Sequence, residues 1–229
     1  MTTSTLSRST LTRLVLSRYL MAFIVLAAMF FIPAGTLAYW EAWLYLAILF
    51  IPMFFVGLWL LKNDPELLER RMRFREKETT QKRVINFSLI WFLLAFVLPG
   101  FDYRFGWSNV PVWVVLAAAL LVLLGYFMVF WVFRENSYAS RVIEVAQGQK
   151  VIDTGPYALV RHPMYAGSII LYVFSPLALG SWWAMIPALP IIPVLIVRLL
   201  NEEEILLRDL PGYAAYRQKV RYRLLPGVW

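Results

Sequence analysis

Apolar blocks of roughly twenty residues, the length that spans a bilayer core, alternate with short polar stretches along this chain. The pattern predicts spans near Tyr19–Ala38, Ala42–Leu61, Val84–Phe101 and Val110–Phe133. The link Tyr39-Trp40-Glu41 leaves room only for a tight turn. Tyr165 to Leu200 is too long for one straight helix and carries Pro176, Gly180, Pro187, Pro190 and Pro193. Proline removes a backbone donor and breaks or kinks a helix. Ser175-Pro176 and Gly180-Ser181 offer a reversal point, so two helices are expected, about Tyr165–Leu179 and a kinked Trp182–Leu200. The expected fold is an all-α membrane protein, a polytopic helical bundle of about six transmembrane segments whose last two form a hairpin. It forms one transmembrane domain over residues 1–229: four spans and an interfacial loop in 1–133, then a C-terminal region, 134–229, that carries the polar chemistry.

The polar stretches add interfacial elements. Asn63 to Arg73 reads as a short helix on the membrane surface, with Asp64 as N-cap, Pro65 in the first turn and Glu66–Arg70 and Glu69–Arg73 four apart. Arg141-Val-Ile-Glu-Val and Lys150-Val-Ile-Asp flank Ala146-Gln-Gly-Gln149, which predicts a small β-hairpin. Met1 to Arg18 reads as a short Ser/Thr-rich tail ahead of a retained first helix.

Charge sets the orientation. Three Lys/Arg precede the first span, eight lie from Lys62 to Arg83, four from Arg134 to Arg161 and six from Arg198 onward; Arg104 alone is left for the opposite side. By the positive-inside rule both termini are cytoplasmic and the number of spans is even. The net charge of +8 therefore reflects membrane lipids and topology, not nucleic acid. With no cysteine and one histidine, disulfides, thiolate metal sites and multi-histidine metal centres are excluded, and no metal is expected.

Candidate chemistry concentrates in Thr154–Gly167, which holds that histidine, His162. Gly155-Pro156 fixes a turn and permits close backbone approach. Pro163 keeps His162 out of a regular helix, so Arg161 and His162 sit at a helix start near headgroup level. Tyr157 and Tyr165 can stack or donate a hydroxyl, and Gly167 leaves room beside the new helix. An ordinary interfacial belt of snorkelling arginine and anchoring tyrosine accounts for the same residues. At the far end of the hairpin, Glu202 follows Arg198 by one turn and Glu203 lies about 100° around the helix from it, with Glu204 next. Acids at the end of a helix oppose its dipole and call for a partner. That partner is either a salt bridge to Arg161 or Arg198 or a cationic or polyhydroxyl ligand. The basic, aromatic tail Leu210–Pro226, with Tyr213, Tyr216 and Val220 at helical spacing, either associates with the membrane or closes over a ligand.

Gly155-Pro-Tyr-x-x-Val-Arg-His-Pro-x-Tyr-x-Gly167, a hairpin, Arg198-x-x-x-Glu-Glu-x-x-Leu206 and Gly212-Tyr-x-x-Tyr216 together resemble the isoprenylcysteine carboxyl methyltransferase family and its bacterial relatives, within the wider membrane phospholipid methyltransferase group. The resemblance covers about Arg134 to Pro226. It implies S-adenosylmethionine bound at the cytosolic ends of the last helices and a lipophilic or isoprenoid substrate arriving from the bilayer, such as a prenylcysteine-type carboxylate. By matching position it implies Tyr157, His162, Tyr165, Glu202 and Glu203 around the cofactor, with Gly155 and Gly167 allowing close approach. Arg161 and Arg198 match the motif arginines, one of them orienting an anionic substrate group, and with Glu202 they form the implied catalytic set. Two other functions compete. An NADPH-dependent membrane reductase of sterol-like double bonds would use Arg217, Lys219, Arg221 and Arg223 on a 2′-phosphate. A transporter or structural subunit would need ionisable groups at mid-bilayer, and the first five spans carry none.

Overall fold

In a computed structural model, residues 6–72, 79–139, 145–146 and 148–229 are described, residues 79–88 by backbone alone. Among the described residues the protein is all helical, as expected. α1 spans Arg8–Ala34, α2 Trp40–Asn63, α3 Pro65–Arg71, α4 Thr79–Phe105 and α5 Val112–Glu135. After a 3-10 turn at Gly155–Ala158 come α6 (Pro163–Ala178), α7 (Met185–Ala188), α8 (Ile191–Asp209) and α9 (Tyr213–Lys219).

Local chemistry explains these boundaries, including those that differ from expectation. Ser7 Oγ accepts from Thr10 N at 3.2 Å, so α1 begins eleven residues before the predicted span and takes up much of the presumed tail. Asp64 Oδ1 accepts from Leu67 N at 2.9 Å with Pro65 behind it, which starts α3 as predicted, and Glu66 pairs with Arg70 at 3.4 Å. Arg73 and residues 141–144 of the expected β-hairpin's first arm, 141–145, lie outside the described residues. Among the described residues of its second arm, no strand forms. The predicted kink in the last span is a break at Leu189-Pro190 between α7 and α8. α8 then runs nine residues past the expected end to Asp209, so Glu202–Glu204 lie inside the helix, more than a turn before its terminus.

By length and composition, four segments among the described residues can cross a membrane: α1, α2, α5, and α7 with α8 (Met185–Asp209). The expected count of about six crossings rests further on α4 and α6. With 16 residues, α6 is about 24 Å long, short of the roughly 30 Å core.

Helices α5 and α6 make the most extensive contact of the bundle. Their backbones touch at two glycines: a Cβ on Gly125 would lie 2.7 Å from the Gly167 carbonyl oxygen, and one on Gly167 would lie 2.8 Å from that of Gly125. Lipid supplies little hydrophobic drive between helices, so such close, small-residue contacts carry the packing. An aromatic core from Phe30, Tyr45, Phe50, Phe96 and Tyr172 fills the space between α1, α2, α4 and α6. Outward-facing Ile24, Phe55, Leu120 and Phe127 are exposed, as lipid-facing side chains are.

At one end of the bundle a polar lock joins two loops. Asp102, 1% exposed, accepts from Ser108 N and Ser108 Oγ, both at 2.6 Å, and from Ser181 Oγ. Ser108 Oγ in turn accepts from Trp182 N at 3.0 Å. The expected reversal at Gly180-Ser181 is thereby tied to the α4–α5 connection. The opposite end carries the motif and the acidic residues of α8.

The glycine contact predicts contrasting substitutions. Gly125→Val must part α5 from α6 and is expected to destabilise by about 1–3 kcal/mol, read as a fall of several degrees in Tm in detergent. Gly57→Ala, whose Cβ meets open space, is expected to hold or raise Tm in the same measurement.

Candidate functional site

The site is built where the start of α6 meets the second half of α8. His162 precedes Pro163 and takes φ −126°, ψ 60°, outside the helix, as the proline demands. Its carbonyl accepts from Tyr165 N and Ala166 N and opens α6. Residues 161 and 162 then pair with the C-terminal segment: Arg161 N donates to Tyr222 O and His162 N to Arg223 O, both at 2.9 Å. The tail is thus seated across the motif by backbone pairing.

Glu203 is the hub. It is 4% exposed. Its Oε1 accepts from Arg161 Nε at 2.7 Å and from His162 Nε2 at 3.2 Å, and its Oε2 accepts from Arg223 Nε at 2.9 Å. Arg161, 5% exposed, also donates through Nη1 to Val220 O (2.9 Å) and Arg221 O (2.7 Å). A buried carboxylate facing two guanidinium groups and an imidazole has its negative charge more than compensated, and its oxygens are occupied. The histidine and the acidic doublet, far apart in sequence, are therefore neighbours.

Glu202 stands beside this hub, half-buried, and accepts from the Tyr165 hydroxyl. Glu204 faces outward. The triple glutamate thus resolves into two site-facing residues and one exposed residue, as successive 100° steps on a helix require. Arg198 lies a turn before Glu202, half-buried and within electrostatic reach of Tyr165.

The motif's other residues have protein partners. Tyr157 accepts at its hydroxyl from Asn136 Nδ2 (2.8 Å), while its carbonyl accepts from the Tyr216 hydroxyl (2.8 Å). Burial pushes the Tyr157 hydroxyl well above its ordinary pKa, so it stays protonated. Gly155 takes φ +54°, and a Cβ there would lie 2.7 Å from Glu135 Oε2. Thr154 donates its hydroxyl to the same carboxylate. The close approach at Gly155 is made by Glu135, at the end of α5, and that at Gly167 by Gly125.

Sequence reasoning missed Glu135, Asn136 and Arg223 as members of this assembly. Two are polar residues at a helix end and one is a tail arginine among several, so nothing local set them apart. Tyr213, in α9, was read from sequence as one of the tail's helically spaced aromatics and as part of the Gly212-Tyr-x-x-Tyr216 segment of the resemblance, without a site role. It packs with Leu210, Tyr216 and Val220 under the motif. Burial, reinforced by the carboxylates of Glu203 and Glu202, pushes its hydroxyl above the ordinary range.

Residues 113–210 match the family model described as phospholipid methyltransferase. The matched stretch runs through α5, the motif, α6, α7 and α8 and stops just before Gly212-Tyr213. No curated protein matches the chain.

The hub makes a stability prediction. Glu203→Ala strands Arg161 as an uncompensated buried charge and is expected to cost about 3–5 kcal/mol, visible as a large loss of Tm in detergent. Glu204→Ala, on the exposed side of the same turn, is expected to change stability by about 0.5 kcal/mol or less.

Proposed function

We propose, from the match of residues 113–210 to the phospholipid methyltransferase family model and from the motif resemblance, that this integral membrane protein transfers methyl groups from S-adenosylmethionine to a lipophilic or isoprenoid acceptor. A prenylcysteine-type carboxylate is the acceptor that the motif resemblance favours. The observation that carries the reading is the meeting of His162 with Glu203 and of Tyr165 with Glu202 at one end of the bundle. The count of Lys and Arg along the chain supports a cytosolic location for that end, with both termini cytoplasmic.

The residues suit the cofactor. Glu202, fixed by the Tyr165 hydroxyl, is an acceptor for an ammonium or ribose hydroxyls. Tyr157 and His162 add a ring face and an imidazole edge beside it. Glu203 acts by holding Arg161 and His162 in place, since its own oxygens are occupied. When bound, S-adenosylmethionine supplies a methyl group on a cationic sulfur, open to in-line attack. The chain's task is then mainly alignment, which by itself supplies several kcal/mol. A carboxylate acceptor is ionised at neutral pH and needs no strong general base. Arg198, one turn before Glu202 on α8, is the motif arginine we assign to orient such an anionic group. The tail seated over residues 161–162 excludes water.

The direct test is ligand-induced stabilisation of the purified protein in detergent. S-adenosylhomocysteine is expected to raise Tm in proportion to its concentration above Kd, and no shift at millimolar ligand overturns the assignment. His162→Ala and Glu202→Gln are each expected to lower methyl transfer by about 100-fold or more while the protein stays folded. Radiolabelled cofactor with a native lipid extract identifies the acceptor by its labelled product.

A further inference from the structure

Beyond Arg223 the tail folds into a short turn, Leu224–Trp229, that leaves the hub along α6 and α8. Leu224 is buried against Tyr165 and Ala166 of α6 and Leu199 of α8, and Trp229 packs on the same cluster beside Met128, Ile169 and Leu195. Leu195 precedes Glu203 by eight residues, which is about 12 Å along α8 toward the opposite end of the bundle. α7 and α8 together make a segment able to cross a membrane. The turn therefore runs from the hub in the direction of the bilayer.

Its outer face is apolar. Leu225 is 57% exposed and Val228 76%, with Tyr222 exposed just before them. Side chains of this kind gathered on one turn call for a partner other than water. The stretch that leads into the turn is basic, with Arg217 and Arg221 exposed, and suits anionic headgroups. Basic residues followed by an apolar, aromatic tip are in the order that a segment presents to a leaflet as it enters from water.

The backbone meets the condition that lipid imposes, which is that protein must satisfy the polar groups of the main chain. Arg223 N, Leu224 N and Leu225 N all donate to Trp229 O, at 2.9, 3.0 and 3.2 Å. Val228 N and Trp229 N donate to Leu225 O, at 3.1 and 3.2 Å. Pro226 has no N–H to satisfy. The charge nearest the turn points away from its tip: Arg223 Nε donates to Glu203 Oε2 at 2.9 Å, and its Cζ stands 4.9 Å from the centre of the Trp229 ring.

We propose that Leu224–Trp229 is a re-entrant turn inserted into the leaflet nearest the hub, with lipid acyl chains as the partner of Leu225 and Val228. This interaction surface goes beyond the methyltransferase reading and does not depend on it. Through Arg223 the inserted turn also helps to hold the tail over the motif.

The chain has no cysteine, so each single substitution to cysteine carries one nitroxide label. Leu225→Cys and Val228→Cys report on the turn. Leu120→Cys, on the exposed face of α5, is the lipid reference, and Lys150→Cys, exposed in the loop before the motif, is the water reference. The labelled proteins are placed in nanodiscs of phosphatidylcholine and phosphatidylglycerol. Power-saturation spin resonance then measures collisions with oxygen, which concentrates in lipid, and with a neutral nickel chelate, which stays in water. The expected result is an oxygen-to-nickel ratio at both turn positions several-fold above that at Lys150→Cys and close to that at Leu120→Cys. A ratio at both positions equal to that of Lys150→Cys overturns the insertion. Collisions with neither reagent also overturn it, since protein, such as a second copy of the chain, would then cover the turn. Two turn positions keep the test open if one substitution disturbs folding.

Discussion

A buried carboxylate costs several kcal/mol to desolvate unless it is met by charge and hydrogen bonds. Glu203 meets that condition by drawing on three parts of the chain: Arg161 and His162 from the motif before α6, and Arg223 from the tail. Each of these groups is in turn held elsewhere, Arg161 by tail carbonyls and residues 161–162 by backbone pairing with 222–223. The start of α6, the second half of α8 and the tail therefore form one unit. Glu202, Tyr165 and Tyr213 take their positions from it.

That unit needs a rigid footing, which comes from two contacts along the same helices. The mutual approach of Gly125 and Gly167 lays α6 against α5, so that the motif emerges beside Glu135 and Asn136 at the end of α5. At the other end of the bundle, Asp102 with Ser108 and Ser181 pins the turn after α6. Polar contacts thus mark both ends of a largely apolar bundle, but they do different work. The lock at Asp102 joins loops to each other, whereas the hub at Glu203 joins the motif, α8 and the tail.

The glycines of the motif illustrate how a correct pattern acquires a different cause. Gly155 and Gly167 both require close approach, as the sequence implies. What approaches them is the Glu135 side chain and the Gly125 carbonyl. They act on the site by shaping the backbone that carries Tyr157, His162 and Tyr165. The motif arginines divide similarly: Arg161 is drawn into the hub, while Arg198 stays a turn away from Glu202 on α8.

Apolar runs with flanking positive charge determine a helical membrane protein without tertiary information, because span length and lipid electrostatics act locally along the chain. Asp64 and Pro65 likewise determine the start of α3, and Pro163 the departure of His162 from the helix, since capping and proline sterics involve only neighbouring residues. Where α1 starts and α8 ends was not legible, because Ser7 capping and the continuation of α8 override the hydropathy boundary. Which glutamates face inward, and that Arg223 and Tyr213 join them, was settled only by the folded chain. The hub's contacts join residues 20 to 42 positions apart, and a buried charge takes whichever partner the packing delivers to it.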